Sequence, residues 1–321
     1  MAAAPRCPIC KSADTRALAR WRLGYTICEC GACNVLFSDP LPTDDQLSAF
    51  YQGFLYNKPD VRRLGASIAR RKDELSGLLR TRHGAGLRLL DHGGGTGVSY
   101  AAAKQLGFET YFNDLDQHAI ELVRELHGLD DAHCIADLGA TGQRFDFIVS
   151  DNVIEHLPDP IANTRVLIRL LAPGGTLIIK TPWGKANEQL FYPLTVLEYA
   201  RRAAEHDGYG SALRSLRAPI WCCDPPRHLY GFTPESLTMV ATEAGVPASW
   251  CEIDAYHDDL LNKSLLATYT KRPAGLLGIA KRAAVLPLLG PELAMKALHL
   301  SLRAAKLLTP MGLILRVQRK A

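Results

Sequence analysis

The 321-residue sequence has no uncharged apolar run of about 18 residues, the length a membrane-spanning helix needs. Its opening, Met1-Ala2-Ala3-Ala4-Pro5-Arg6, lacks the apolar core of a secretion signal, so export is not expected. Aromatic residues are few, at 7%, but hydrophobic residues reach 47% and charged ones 22%, ordinary values for a folded globular chain. That balance excludes a disordered chain, a collagen-like repeat and a small disulfide scaffold. There is no internal repeat and no low-complexity linker. Nine cysteines without an export signal point to metal binding or free thiols in a reducing compartment. A cytoplasmic location is the expectation.

The net charge of +4 is unevenly spread. From Lys271 to Ala321 ten Lys/Arg face one acid, Glu292, which gives +9 and leaves −5 for the rest. A mildly acidic body is not the footprint of a protein that grips nucleic acid across its main face. Residues 1–60 hold six basic and six acidic side chains, so the amino-terminal region offers phosphate no net attraction either.

Composition divides the chain into residues 1–40, rich in cysteine; 41–84, a helical lead-in; 85–272, the main body; and 273–321, a basic tail. In the body, Leu87–Asp91, Glu109–Asp114, Ala132–Asp137, Phe145–Asp151 and Thr176–Thr181 read as strands. Helical patterns lie between most of them, at Val98–Leu106, Asp116–His127 and Pro160–Leu171. This alternation predicts a doubly wound α/β fold, in which ligands bind beyond the carboxyl ends of the strands. Residues 186–226 interrupt it as a helix-rich substrate insertion, and Ser249–Tyr256 with Ser264–Lys271 read as a last pair of strands.

Cys7-Pro8-Ile9-Cys10 and Cys30-Gly31-Ala32-Cys33 are two C-x-x-C knuckles with 19 residues between them. Two such turns can each supply a pair of thiolates to one tetrahedral zinc ion. Cys7, Cys10, Cys30 and Cys33 are therefore the expected ligands of a structural zinc ribbon; Cys28-Glu29-Cys30 lacks the two-residue spacer. So short a ribbon buries little apolar surface, and the metal would supply its folding energy. The alternative is a set of reduced, packed cysteines.

The sharpest signal is Asp91-His92-Gly93-Gly94-Gly95-Thr96-Gly97. Gly93, Gly95 and Gly97 follow a strand and open a helix, and Asp114 closes a second strand 21 residues past Gly93. A carboxylate there can hold both hydroxyls of a ribose. A dinucleotide loop, G-x-G-x-x-G, would place its third glycine at Val98. The spacing here is G-x-G-x-G, that of loops which cradle the methionine and ribose of S-adenosylmethionine.

On these residues the segment resembles the class I S-adenosylmethionine-dependent methyltransferases. The resemblance extends to Phe145-Asp146-Phe147-Ile148-Val149, Ile154-Glu155-His156-Leu157-Pro158-Asp159-Pro160, Leu171-Ala172-Pro173-Gly174-Gly175, Pro226-Arg227-His228-Leu229-Tyr230-Gly231 and Glu243-Ala244-Gly245. It covers about residues 60–272. It implies a Rossmann-like, seven-stranded sheet with its last strand antiparallel. It also implies cofactor contacts at Asp91, Gly93, Gly95, Gly97, Asp114 and Asp137, the last near the adenine amine. Asn152 would face the methionine end or the acceptor. With its cysteine knuckles the chain is similar to bacterial methyltransferases of sugars, glycans and other small metabolites.

Methyl transfer from a sulfonium is an in-line displacement, in which the protein aligns donor and acceptor and removes a proton where the acceptor needs it. His156, His228 and Tyr230 are the candidates for that base. The resemblance to coenzyme Q O-methyltransferases would bring a divalent metal, but Asn152 stands where the earlier of their two glutamates would be, so no catalytic metal is expected. The expected acceptor is an oxygen or carbon of a small metabolite, such as a sugar or a lipid-linked glycan. An RNA base methyltransferase with a zinc module and a non-catalytic cofactor-binding scaffold are the alternatives.

In the tail, Lys296, His299, Arg303 and Lys306 recur at helical spacing among Leu293, Leu298, Leu300 and Leu307, with Leu313-Ile314-Leu315-Arg316 beyond. An apolar face beside cations suits peripheral contact with the inner face of an anionic membrane. Packing on the body or on a second subunit is the alternative.

Overall fold

Alternating apolar strands and amphipathic helices cannot bury both faces of a parallel sheet unless the helices cover it on either side. The computed structural model of the chain follows this logic over the residues it describes, 5–52, 61–81, 83–187, 222–257 and 286–320. Strands β4 (Arg88–His92), β5 (Glu109–Asn113), β6 (Phe145–Asp151) and β7 (Leu171–Pro182) run parallel. Helices α3 (Val98–Gln105), α4 (Gln117–His127) and α5 (Pro160–Leu170) connect them. Leu89, Leu90, Phe112, Ile148, Leu177 and Ile178 are fully buried along the strands.

The sheet order is β5-β4-β6-β7-β10-β9, where β9 is Cys251–Tyr256 and β10 is Gly312–Gln318. The expected strand over 132–137 contracts to a parallel bridge between Phe112 and Cys134 at the β5 edge. The chain leaves β4 first toward β5 and later returns beside β4 as β6. A crevice therefore opens beyond the carboxyl end of β4, where ligands bind in such sheets.

The carboxyl-terminal region departs from the sequence reading. Leu313-Ile314-Leu315-Arg316, expected to trail an amphipathic tail, lies in β10, antiparallel to both β7 and β9. Leu313, Leu315 and Val317 are wholly buried, and Arg316 is held by the Leu78 carbonyl. Seven alternating residues after a long helical pattern carry too weak a period to be recognised alone. The strand expected at Ser264–Lys271 and most of the 186–226 insertion lie outside the described residues. Among the described residues of the tail, α7 (Leu289–Ala304) keeps the helical character expected of it.

The amino-terminal region forms a second sheet of β1 (Thr15–Arg20), β2 (Thr26–Cys30) and β3 (Leu36–Asp39). Its fourth strand, β8 (Tyr230–Gly231), comes from the body, with Phe37 opposite Tyr230. Two helices follow the ribbon, α1 (Asp44–Gln52) and α2 (Val61–Leu79). Thr43 and Gln46 exchange side-chain and backbone hydrogen bonds at the start of α1, the reciprocal cap that its sequence announces. The last body helix, α6 (Pro234–Glu243), begins with the same device at Thr233 and Ser236.

Candidate active site

The loop after β4 is shaped by what its glycines leave out. Gly93 has φ +63°, and a Cβ there would sit 2.5 Å from Val153. Gly97 has φ +71°, and its Cβ would sit 2.7 Å from Val123 and 2.8 Å from His127. Both positions demand the left-handed backbone and the missing side chain together. Gly97 has no side chain with which to cap α3, and Asp91 does it instead: its Oδ2 accepts the Tyr100 N–H at 2.9 Å. Burial pushes the Asp91 carboxyl up to about 7, against the pull of Arg71. Asp91 thus braces the loop from below.

Asp114, just past β5, faces the loop from the next strand. Its Oδ2 accepts the Gly95 N–H and its Oδ1 the Asp116 N–H, each at 2.9 Å. A carboxylate offers about four acceptor positions, so two remain beyond these bonds. Leu115, beside it, is 91% exposed, an apolar surface of the kind a purine face would cover. Asp137 holds a turn through Gly139 N–H at 2.7 Å. The bare loop, the half-used carboxylate and the exposed leucine together fit a nucleoside with a free ribose, as S-adenosylmethionine has.

Below the loop lies a charged cluster absent from the sequence reading. Arg71 of α2 is buried, 2.8 Å from Asp151 and 2.9 Å from Glu74, and its Nε donates to Ser99. Lys180 of β7 reaches Glu74 at 2.6 Å. Arg71 sits in a run of basic residues on a helix, which reads as a solvated face until the helix is docked.

Beyond β6 the backbone turns through Asn152, at φ +55°, into the turn that carries Glu155 and His156. Asn152 donates to Asp151. Glu155 is buried and accepts from Thr181 Oγ1 at 3.0 Å; burial pushes its carboxyl up to about 7. His156 Nδ1 lies 3.0 Å from the Arg227 carbonyl and 3.0 Å from the Tyr51 hydroxyl. A carbonyl only accepts, so this geometry assigns the proton to Nδ1 and leaves Nε2 as the lone-pair nitrogen. Nε2 stands 4.0 Å from Glu155 Oε1. Burial, reinforced by His228 and Arg227, pulls His156 down to about 3, so it is neutral.

His228 meets this pair from the segment after the insertion, its ring centroid 4.6 Å from that of His156. Its Nδ1 lies 2.7 Å from Asp224 Oδ1. Burial raises the Asp224 carboxyl, but the contact with His228 and the charge of Arg227 outweigh it and hold the group below its usual range. An orienting carboxylate on Nδ1 leaves Nε2 to act, the arrangement of a general base.

Of the three expected bases, the structure therefore joins His156 and His228 and leaves Tyr230 apart. Tyr230 is 1% exposed and donates to the Pro158 carbonyl, and burial pushes its hydroxyl up. Asp224 was missed; its one signal is the four-residue step to His228. Glu155 was noted only as part of the Glu-His element. Glu155, His156 and His228 offer ligand atoms within 4.8 Å of one another, a donor set that fits a divalent cation. Asn152 removes one donor from that element, but His228 arrives from 72 residues beyond His156 to supply a third.

The cysteines assemble as their spacing predicts. Cys7, Cys10, Cys30 and Cys33 place their sulfurs within 4.8 Å of one another. The Cys7–Cys33 and Cys10–Cys30 pairs are 3.7 and 3.4 Å apart. A tetrahedron of Zn–S bonds of about 2.3 Å has edges of about 3.8 Å, so the residues fit zinc. The hydrogen bond from Cys33 draws Cys7 down to about 5 against its burial. Cys28 stands outside the group, pushed up to about 11 by burial and by Asp39.

A family model described as a methyltransferase domain matches residues 59–246. A ubiquinone biosynthesis O-methyltransferase of Xanthomonas oryzae pv. oryzae (strain PXO99A) is 37% identical over 106 residues, 30% of this chain and 44% of that protein. The same-named protein of Cereibacter sphaeroides (strain ATCC 17025 / ATH 2.4.3) is 37% identical over 102 residues, 30% of this chain and 41% of that protein. The chain thus spans less than half the length of these curated relatives. A solved S-adenosylmethionine-dependent methyltransferase from Archaeoglobus fulgidus aligns at 14% identity with a TM-score of 0.44, over 78% of this chain and 94% of that one.

Proposed function

Because the chain belongs to the family of methyltransferase domains, which accounts for residues 59–246, we propose that it transfers the methyl group of S-adenosylmethionine to a hydroxyl oxygen of a small metabolite. The single observation that carries this reading is the meeting of Asp224–His228 with Glu155–His156 beside the glycine loop. Val153, two residues before Glu155, is the side chain that packs against Gly93.

When bound, S-adenosylmethionine supplies a methyl group already activated on a sulfonium. The chain's task is to position and to take a proton. Gly93 to Gly97 and Asp114 hold the nucleoside, while Asp91 and Arg71 fix the loop and its flank. Asp224 orients His228 so that Nε2 can accept the proton of the acceptor hydroxyl. His156 stays neutral and, tied to the Arg227 carbonyl, keeps the segment bearing His228 in place.

A divalent cation held by Glu155, His156 and His228 would supply Lewis acidity to the same hydroxyl, and the donor set described above favours keeping this second reading. A carbon acceptor needs the same base. A sugar or a lipid-linked glycan is the acceptor class we favour, since both offer hydroxyls that ionise only with help. None of the nine cysteines is in a disulfide, and a reducing compartment such as the cytoplasm is the location we favour.

The test is mass analysis of a cell extract incubated with the protein and isotopically methyl-labelled donor, which reports the acceptor. His228→Gln should lower turnover about 10²- to 10⁴-fold while cofactor affinity stays unchanged. Turnover by His228→Gln at the native rate would remove His228 from the mechanism. Loss of turnover on dialysis against a chelator, restored by magnesium, would favour the cation reading.

A further inference from the structure

Among the described residues seven large hydrophobic side chains are strongly exposed, and five of them, Leu286, Leu293, Leu298, Leu300 and Leu307, fall on one stretch at α7. At about 100° per residue, Leu300, Leu293, Ala304, Ala297, Ala294 and Leu298 share an arc of about 160°. All are exposed, and Ser301 is the only polar residue among them. Met295, His299 and Leu302 point the other way, toward the protein. Arg303, exposed, falls beside one border of the apolar arc, whereas the ammonium nitrogen of Lys296 next to it is buried. The helix is thus inverted relative to an ordinary surface helix, which turns its charge to water.

From this we infer that α7 is a docking surface for an anionic bilayer, with the apolar arc seated in the headgroup boundary and the exposed Arg303 reaching the phosphates. The alternative occupant, a second copy of the chain, fits poorly on two counts. A 16-residue helix is about 24 Å long, and a strip about 10 Å wide gives about 240 Å², where a stable dimer needs about 800 Å² from each partner. The exposed cations on and just after the helix, Arg303 and Lys306, also repel their copies in a second chain, whereas anionic lipid attracts them.

The placement suits the surface. After α7 the chain is pinned at Thr309, whose N–H donates to Asn187 Oδ1 at 2.7 Å, and at Met311, whose carbonyl accepts from Trp183 N–H. It then enters β10, where Gly312 lies opposite Pro182 at the carboxyl end of β7. The helix therefore approaches the sheet at the end that bears the glycine loop. Docking does not depend on which acceptor is methylated, so it can be tested without one.

The experiment is flotation of the full chain with vesicles of phosphatidylcholine containing about 30 mol% phosphatidylglycerol, at about 50 mM and about 0.5 M salt. The expected result is co-flotation at low salt, lost at least about tenfold in high salt and with pure phosphatidylcholine. The double variant Leu293→Ser/Leu300→Ser should lose binding about tenfold or more with its thermal melt unchanged, because both side chains are half-exposed. Arg303→Glu, an independent change at an exposed cation, should weaken the same binding. Failure of the native chain to float at low salt, or unchanged flotation of both variants, would overturn the inference. So would a dimer in sedimentation that the double variant dissolves while neither protein meets lipid.

Discussion

Replacing Asp114 with alanine tests the cofactor site at its most loaded residue. In the structure the carboxylate holds Gly95 N–H and Asp116 N–H, each at 2.9 Å. Each N–H left without an acceptor costs about 1–3 kcal/mol when buried; this site is partly open, so the low end of that range applies and a stability loss of about 2 kcal/mol is expected. The larger effect is on binding. Two hydrogen bonds from a ribose to an ionised acceptor contribute about 1.5–3 kcal/mol each, so their loss should weaken S-adenosylmethionine about 10²- to 10⁴-fold. Asp114→Asn keeps the shape and one acceptor oxygen and should fall between the two. Titration calorimetry measures the affinity, and urea midpoints separate it from the stability loss. If Asp114→Ala, folded by circular dichroism, binds the cofactor within about threefold of the native chain, the carboxylate is only a loop brace and the ribose site lies elsewhere.

Gly97→Ala must adopt φ +71° with its Cβ 2.7 Å from Val123; the backbone and packing costs together predict a loss of about 2–5 kcal/mol in chemical denaturation. A loss under about 0.5 kcal/mol would mean that the loop adapts freely. Metal analysis should find one zinc per chain and none in Cys30→Ser, with a much lower melting temperature for the variant; a metal-free native protein that melts like Cys30→Ser would refute the ribbon. His92, buried and bonded to Ser150 at 3.0 Å, is drawn down by burial to about 4. An unfolded chain protonates this side chain near pH 6.5, so between about 6.5 and 4 it binds a proton that the folded chain does not. Stability should then fall as the pH is lowered across that window, by about 3 kcal/mol from His92 alone. Urea midpoints of His92→Gln should show a shallower slope over the same range, and an equal slope would contradict the assignment.

What the sequence disclosed and what it withheld follow from the range of each interaction. Gly93, Gly95 and Gly97, and the two cysteine pairs, are local patterns whose chemistry needs close spacing, and each assembles as its spacing implies. The body strands and helices carry their periods within themselves. Residues whose part depends on a partner far along the chain stayed hidden: Arg71 needs Asp151, and Glu155 needs Thr181 and His228. Strand β10 is hidden for the same reason, since a seven-residue alternation acquires meaning only between β7 and β9. Tyr230 shows the converse error. Its motif placed it near the acceptor, but in a two-residue strand successive side chains point to opposite faces, and its own goes into the core beside Phe232.

Backbone pairing crosses the boundary drawn at residue 40 for a physical reason. A three-stranded ribbon leaves the edge of β3 unpaired, and the body completes it: Phe37 pairs with Tyr230, and Ser38 N–H donates to the Leu229 carbonyl. Thr233 Oγ1 donates to the carbonyl of Cys33, itself one of the four thiols. Leu229 N–H in turn donates to the Glu155 carbonyl at 2.7 Å, and the Arg227 carbonyl receives His156. The segment 227–233 is thus bonded on one side to the cysteine sheet and on the other to the turn after β6, with His228 between them. A histidine on an otherwise unsupported loop would sample many positions, and here two sheets over-determine one. The ribbon is therefore part of the scaffold of the proposed site, because the edge it offers is the edge that holds the segment bearing His228.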